Sequence, residues 1–519
     1  MPDPISPKWI FMVAAENGGL PGGKIGGMGD VIRDLPKALA RRGHRVSVLT
    51  PSYGFLARTP TAEPIGTVPV RFAGAPESCR WLEVASGTEG VDYYLLDSPR
   101  FSPGGDELIY HTDESSAPYA TDATKFAFFS AAAAALVCQL PEAPDILHLH
   151  DWHLGLMLLL RGYHDHYRAL KPIRSVFTIH NLALQGTRPL DGAESSLSRW
   201  FPELKCPPEV VADPQFPDCV NPMAVGIRLA DALNTVSPTY ATEILQPADD
   251  SRGTRGGEGL EGLLAARERD GALFGILNGI DYPETAPVEP TWAQLVALMH
   301  EEVLGWVAAG RFVDSGAWLA EKRIATLPAR RPAVIATSVG RVTEQKLRLL
   351  REPIGRTAQA LDRVLAALDP GLLILLGSGD EEYERFLQGA MVRHPNLLFL
   401  KGYSDRLARS LYAAGDIFLM PSVFEPCGIS QMLAMSAGQP CVAHAVGGLK
   451  DTVTAANGFP FDGATPRQQA QNLVRTLAAA VNTKLSRPEK WLALTNAARA
   501  ERFSWNLSAG RYMSEVYGF

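Results

Sequence analysis

Short apolar runs that alternate with longer helical stretches are the feature that most constrains the fold of this chain. The runs are apolar on both faces, and segments rich in Ala, Leu and Arg separate them. Strands buried on both faces are typical of parallel sheets that are covered by helices on each side. The predicted strands are residues 9–15, 45–49, 91–96, 146–149, 175–179, 232–236, 273–277, 333–338, 372–376, 397–400, 417–420 and 441–444.

These runs form two series of about six strands, and the first six runs precede a polar, Gly-rich segment at 246–259. Two series favour two doubly wound α/β domains, because twelve strands are too many for one (β/α)₈ barrel. We place the domains at residues 1–250 and 251–502. The polar segment is either a plain linker or a mobile functional loop.

Composition excludes several classes of protein. The 519 residues carry a net charge of −7, which argues against a surface built to coat nucleic acid or anionic lipid. Six cysteines are scattered without C-x-x-C spacing, so we expect a reducing, cytoplasmic compartment. The apolar stretch 126–140 is shorter than the ~20 residues of a membrane span, and we expect neither a membrane segment nor a secretory signal.

Polar and Gly-rich residues concentrate directly after the predicted strands in both series. Ligands of open parallel sheets bind at the carboxyl ends of strands, so these segments predict binding loops on both domains and a cleft lined by both. The segments are GGLPGGKIGGMGD (18–30), HDWH (150–153), HN (180–181), GRVTEQK (340–346), GSGDEEYE (377–384), PSVFEPCG (421–428) and VGGLKD (446–451).

The first of these segments has the character of an anion site. Gly26, Gly27 and Gly29 precede a helix that we expect to begin near Asp30, and Lys24 adds a positive charge. Bare glycines at a helix N-terminus let backbone N–H groups approach an anion. Neither a Walker loop nor a dinucleotide fingerprint is present, so nicotinamide chemistry is disfavoured. A Gly-rich turn without a ligand is the alternative.

Two further segments carry charged residues directly after predicted strands. Arg341 and Lys346 lie on one turn and could bind one diphosphate, although a solvated surface pair is the plain alternative. Glu425 follows a buried strand and either stabilises a developing cation and sugar hydroxyls or merely begins a helix. Cys427 beside it is interpreted as a buried thiol rather than a nucleophile.

Four histidines lie at the ends of neighbouring strands: His148, His150, His153 and His180. The H-x-H-x-x-H spacing suggests zinc, but it straddles a strand end and no cysteine is near. We therefore favour core histidines or polar contacts to a hydroxyl-rich ligand. The chain has no clustered acidic D-x-D pattern that would hold Mg²⁺.

Taken together and in order, these motifs resemble those of bacterial glycogen synthases and plant starch synthases. The resemblance spans nearly the whole chain. It rests on KIGGMGDV (24–31), HLHDWH (148–153), TIHNLALQG (178–186), TVSPTYATEI (235–244), ILNGID (276–281), GRVTEQK (340–346), GSGD (377–380), PSVFEPCGISQ (421–431), VGGLKDTV (446–453) and a closing FSW (503–505).

The resemblance implies a GT-B fold, in which two Rossmann-like domains face an interdomain cleft. It implies retaining transfer of glucose from a nucleotide sugar, ADP-glucose, to the 4-OH of an α-1,4-glucan end. It also implies that the segment 503–519 packs back on the first domain and that no metal or other cofactor is needed. Residues 283–330 depart from the family pattern, and we assign no chemistry to the helices predicted there at 292–309 and 317–324.

The resemblance also implies roles for individual residues. The predicted catalytic residues are Glu425, His153, Lys24, Arg341 and Lys346. The predicted donor-binding residues are Gly26, Gly27, Arg341, Lys346, Tyr403, Ser430, Gly447 and Gly448, with Tyr403 stacked on the base. The predicted acceptor or sugar contacts are Asp30, Asp122, His153 and Asn221.

Two alternative functions stay open at this point. One is a transferase of the same fold that uses another nucleotide sugar or a small acceptor. The other is a weakly active glucan-binding paralogue, although the intact set of charged motif residues argues against it. The sequence assigns no oligomeric state.

Overall fold

A nine-stranded and a six-stranded sheet form the cores of two separate units. The computed structural model describes residues 6–282, 288–311 and 314–519. Unit 1 comprises the described residues of Met1–Pro247, Gly256–Gly279 and Ser504–Phe519, and unit 2 comprises those of Ala248–Arg255 and Ile280–Phe503. Each unit has helices between parallel strands, as the alternating sequence pattern predicts.

The strands of unit 1 are β1 (Trp9–Val13), β2 (Arg45–Pro51), β3 (Ala62–Phe72), β4 (Ala75–Val84), β5 (Val91–Asp97), β6 (Ile146–His150), β7 (Arg174–Ile179), β8 (Arg188–Pro189), β9 (Cys219–Val220), β10 (Ala232–Thr235) and β11 (Leu273–Gly275). Its large sheet has the order β11-β10-β7-β6-β1-β2-β5-β4-β3. All neighbours are parallel except β3 with β4 and β4 with β5.

Unit 1 contains the helices α1 (Gly27–Ala40), α2 (Ala120–Gln139), α3 (Gly155–Tyr163), α4 (Leu197–Trp200), α5 (Pro208–Val211), α6 (Pro222–Leu229), α7 (Pro238–Glu243) and α8 (Glu261–Arg269). Helix α2 alone among the described helices is long and apolar enough to cross a membrane by composition. Its most apolar window is 83% buried within the protein. It therefore packs as the central core helix of unit 1.

The strands of unit 2 are β12 (Ile335–Val339), β13 (Pro353–Ile354), β14 (Ala358–Gln359), β15 (Leu372–Gly377), β16 (Leu397–Lys401), β17 (Ile417–Met420), β18 (Cys441–His444) and β19 (Phe459–Phe461). The main sheet has the order β16-β15-β12-β17-β18-β19, and every pairing in it is parallel. Strands β12 and β17 are neighbours, so the loops that follow them leave the same edge of the sheet side by side.

Unit 2 contains the helices α9 (Trp292–Ala308), α10 (Ser315–Ala325), α11 (Glu344–Arg351), α12 (Ala360–Leu368), α13 (Glu381–Arg393), α14 (Asp405–Ala414), α15 (Ser430–Ser436), α16 (Gly447–Thr452), α17 (Pro466–Ser486) and α18 (Pro488–Ala500). Helices α9 and α10 confirm the two predicted within 283–330. Residues 283–287 and 312–313 of that segment lie outside the described residues.

Three details of the predicted strand pattern are wrong. The run at 273–277 belongs to the sheet of unit 1, where Leu273 pairs with Leu233 of β10, rather than to the second series. The antiparallel hairpin of β3 and β4 was not predicted, because it has no continuous apolar run and prolines interrupt it. Strand β19 has only three residues, too short a run to stand out.

The helix after β1 also begins earlier than expected. Helix α1 starts at Gly27 rather than near Asp30, so Gly29 lies inside its first turn. A Cβ on Gly29 would lie 2.9 Å from the Cβ of Lys24, which explains why the turn needs a glycine there.

The chain ends in unit 1 with α19 (Trp505–Arg511) and a π-helical turn at Tyr512–Tyr517. The Tyr517 hydroxyl lies 2.9 Å from Nδ1 of His148 on β6, and His148 Nε2 lies 2.6 Å from the Thr178 hydroxyl. Thr178 donates its proton to Asn234, so His148 Nε2 donates and Nδ1 accepts from Tyr517. Burial lowers the pKa of His148 to about 3, which keeps the ring neutral.

Tyr517→Phe should destabilise unit 1, because it leaves the buried Nδ1 of His148 without a donor. The expected loss in the free energy of unfolding is about 1–3 kcal/mol, measured by urea denaturation. Tyr163→Phe, at a partly exposed tyrosine of α3, is the control. Equal stability of the two variants would show that the tyrosine–histidine bond contributes nothing.

Candidate functional site

The loops after β12 and β17 bring opposite charges together at the carboxyl edge of the unit 2 sheet. A depression there is lined by Gly340, Arg341, Lys346, Pro421 and Ser422, and by apolar residues of the neighbouring strands. Arg341 is exposed, and Lys346 is partly buried in the first turn of α11. Two cations therefore line one concave surface, as the spacing of the two residues predicts.

Glu425 lies beside these cations and is 6% exposed. Its carboxylate forms an ion pair with the Lys346 ammonium group and accepts a hydrogen bond of 3.0 Å from the Ser422 hydroxyl. A charged side chain this buried is tolerated because both partners compensate for lost water. Ser422 was missed by the sequence analysis, although its place three residues before Glu425 at the end of β17 was a usable signal.

Gly447 and Gly448 begin α16 and pack against the Glu425 loop. The Gly448 N–H donates to the Glu425 carbonyl oxygen at 3.0 Å. A Cβ on Gly447 would lie 1.9 Å from that oxygen, and a Cβ on Gly448 would lie 2.2 Å from the Cys427 carbonyl oxygen. The glycines thus fix the backbone that carries Glu425, whereas the sequence analysis predicts a donor contact for their amides.

The remaining predicted donor residues of unit 2 are less enclosed. Tyr403 follows β16, is 53% exposed, and donates its hydroxyl proton to Asp405 at 2.7 Å. The exposed aromatic ring has an apolar face and a polar hydroxyl. Ser430 begins α15, and Cys427 is buried, in keeping with its interpretation as a thiol within the packing.

In unit 1, the loop that precedes α1 is held by a carboxylate that the sequence analysis missed. Glu16 is buried directly after β1, and it accepts hydrogen bonds from the N–H groups of Ile25 and Gly26 at 2.8 and 2.7 Å. The Tyr110 hydroxyl donates to its other oxygen at 2.9 Å. The Gly26 amide therefore shapes the loop. A Cβ added to Gly27 would have no other described atom within 4 Å.

The charges of that loop are paired with one another. Lys24 lies 2.7 Å from Asp30, and Arg33 lies 3.1 Å from the same carboxylate. Asp30 stands in the first turn of α1, where the helix dipole favours a negative charge. The structure therefore brings the predicted residues Lys24 and Asp30 together.

The predicted residue His153 lies in a short 3₁₀ turn after β6, packed between aromatic rings. Its ring centroid is 4.5 Å from that of Phe126 and 4.4 Å from that of Trp152. Burial lowers the pKa of His153 to about 3. A neutral ring at this position can exchange hydrogen bonds with a hydroxyl group without carrying charge.

The polar residues near His153 form hydrogen bonds with one another and with the backbone. His150 Nδ1 lies 3.0 Å from His180 Nε2, and the Asp151 carboxylate accepts the His180 N–H at 2.7 Å. Burial raises the pKa of Asp151 to about 8. Within the described ranges, no group of three or more His, Cys, Asp or Glu side chains is arranged to hold a metal ion.

Two predicted acceptor residues are buried and already bonded. Asp122 accepts the Lys125 ammonium proton at 2.7 Å and the His111 N–H at 3.1 Å. Asn221 caps α6 by accepting the Ala224 N–H, and its amide donates to Gln185 and Asp213. Both side chains therefore already contribute to the packing of unit 1. Their roles as sugar contacts stay predictions.

Two family models match the chain, one in each half. The model described as the starch synthase catalytic domain matches residues 9–266, and the model described as glycosyl transferases group 1 matches residues 333–479. The second match covers β12 through most of α17, including the loops that carry Arg341, Lys346 and Glu425.

Curated proteins and solved structures agree with these models. A glycogen synthase of Anaeromyxobacter dehalogenans is 38% identical over 97% of both chains, and one of Moorella thermoacetica is 33% identical over 98% of this chain and 96% of its own. The catalytic domain of starch synthase IV from Arabidopsis thaliana, bound to ADP and acarbose, superposes with a TM-score of 0.77 at 29% identity over 99% of both chains.

Sucrose-phosphate synthase from Thermosynechococcus elongatus shares the fold, with a TM-score of 0.54 at 17% identity over 97% of both chains. The two Rossmann-like units, the ordered motifs and the near full-length relatives lead to one conclusion. The chain belongs to the glycogen synthase and starch synthase family, has the GT-B fold, and is a glucosyltransferase of the glycogen or starch synthase type.

Proposed function

We propose that the protein transfers glucose from ADP-glucose to the 4-OH at the non-reducing end of an α-1,4-glucan, with retention of configuration. The observation that carries the proposal is the meeting of Arg341, Lys346 and Glu425 at one edge of the unit 2 sheet. The names of the relatives support a glucan acceptor, and the ADP bound to starch synthase IV supports an ADP-linked donor.

The two cations are proposed to bind the diphosphate of the donor. The Arg341 guanidinium can donate two parallel hydrogen bonds to phosphate oxygens, and Lys346 adds a compact positive charge. Cations placed where negative charge develops stabilise a leaving diphosphate. We propose that these side chains neutralise the leaving group and that the reaction needs no metal or other cofactor.

Glu425 is proposed to act on the sugar. Its carboxylate can accept hydrogen bonds from glucose hydroxyls and stabilise the positive charge that develops at the anomeric carbon. The bond between that carbon and the phosphate oxygen breaks, and the acceptor hydroxyl forms the new bond on the same face. The hydroxyl proton passes to the leaving phosphate, so that ADP and the extended glucan are the products.

Other residue roles follow from the family resemblance. Tyr403 is proposed to stack on the base, since its ring is half exposed beside the edge of the sheet. In unit 1, we propose that Lys24 and His153 contact the substrates and that His153 does so as a neutral ring. We also propose a cytoplasmic location, because the six cysteines of the chain are free thiols.

The donor and the acceptor can be tested in one assay with EDTA present. Purified protein is incubated with ADP-glucose or UDP-glucose and with acceptors from glucose to glycogen, and the products are sized. We expect chain extension from ADP-glucose, with α-1,4 linkages. Transfer to small acceptors alone would favour a different transferase of the same fold. Glucan binding without turnover of any nucleotide sugar would favour a weakly active paralogue.

Glu425→Gln should lower kcat strongly while the protein stays folded, because the amide keeps the shape of the side chain but not its charge. By comparison with the loss of one preorganised donor in other enzymes, the expected drop is about 10²–10³-fold. Glu301→Gln, at an exposed residue of α9, is the matched control. A kcat near that of the unaltered protein would remove Glu425 from the catalytic role.

A further inference from the structure

We propose that Gln345 is a positioning residue that fixes the position of Glu425 relative to Lys346. The inference rests on the proposed function, because it concerns the same donor site. Gln345 precedes Lys346 in α11 and was not singled out from the sequence. It contacts the Glu425 loop through both its backbone and its side chain.

The two contacts form a clamp on two consecutive residues, Val423 and Phe424. The Gln345 carbonyl oxygen accepts the Val423 N–H at 2.9 Å, and the Gln345 side-chain amide donates to the Phe424 carbonyl oxygen at 3.0 Å. Glu425 is the next residue along the chain. Two bonds to neighbouring residues restrain both the position and the direction of the loop just before Glu425.

Three other contacts fix Glu425 from different directions. The Ser422 hydroxyl donates to its carboxylate, the Gly448 N–H donates to its carbonyl oxygen, and Lys346 pairs with its charge. The Gln345 clamp differs from the first two because it ties the Glu425 loop to the loop that carries the diphosphate cations. It therefore sets the spacing between the group proposed to act on glucose and the groups proposed to bind phosphate.

The contacts of Gln345 affect the position of Glu425 but not the proposed contacts to the nucleotide. The Gln345 amide donates to the Phe424 carbonyl oxygen, so its loss does not remove a proposed contact to the nucleotide. The Arg341 and Lys346 side chains stay in place on α11 and its preceding turn. Small displacements of reacting groups slow chemistry steeply. Loss of the side-chain bond of Gln345 should therefore lower the rate of transfer and leave nucleotide affinity nearly unchanged.

The test replaces Gln345 with Met, which keeps the length of the side chain but has no side-chain N–H to donate. Gln468→Met, at an exposed glutamine of α17, is the matched control. Thermal melting identifies any loss of folding, and Gln345→Ala serves as a second variant if the first is unstable. Steady-state turnover with ADP-glucose and calorimetry with ADP then supply the two readouts.

We expect kcat of Gln345→Met to fall about 10-fold, which is the effect of one lost hydrogen bond that leaves a carbonyl unpaired. The donor KM and the Kd for ADP should change less than about threefold, a margin well below 1 kcal/mol. An unchanged kcat would overturn the proposal. A loss of ADP affinity equal to the loss of kcat would also overturn it, since Gln345 would then act through binding.

A double-substitution cycle with Glu425→Gln isolates the route of the effect. If Gln345 acts by placing the Glu425 carboxylate, Gln345→Met should have no further effect on the residual rate of Glu425→Gln. Additive losses would contradict the proposal and indicate a merely structural role. If the unaltered protein turns over a different nucleotide sugar, the proposed donor is wrong, and the same cycle with that sugar still tests Gln345.

Discussion

The ion pair between Lys346 and Glu425 is the interaction on which the candidate donor site depends. It joins a turn after β12 to a loop after β17, and these strands are neighbours in the unit 2 sheet. Removing one member of a buried pair leaves an uncompensated charge, which is costly. The pair therefore keeps a carboxylate and an ammonium group side by side before any substrate is present, each with a partner that a phosphorylated sugar can replace or share.

Around this pair, backbone hydrogen bonds do most of the positioning. Gly448 donates to the Glu425 carbonyl oxygen, and Gln345 bonds the N–H of Val423 and the carbonyl oxygen of Phe424. In unit 1, Glu16 performs a similar task for the loop before α1, where it accepts two consecutive N–H groups. In both units, the segments that follow strands are thus shaped by hydrogen bonds from polar groups outside their own turn.

The sequence predicted the class of fold well. It did not predict the hydrogen bonds that hold the site residues in place. Apolar runs identified every long parallel strand, because strands buried on both faces are composed mostly of apolar residues. The β3–β4 hairpin has exposed alternate positions and lacked that signal. The charged residues Arg341, Lys346 and Glu425 were found because they follow buried strands. The partners Glu16 and Gln345 were missed, since their roles arise from contacts that spacing does not reveal. Ser422 was missed although it lies three residues before Glu425.

The most direct test of this account is a crystal structure of the protein with ADP bound. The account predicts that diphosphate oxygens lie within hydrogen-bonding distance, about 3 Å, of both Arg341 and Lys346, with Glu425 still held by Ser422 and Gly448. ADP bound away from the loops after β12 and β17, or a diphosphate that touches neither cation, would contradict it.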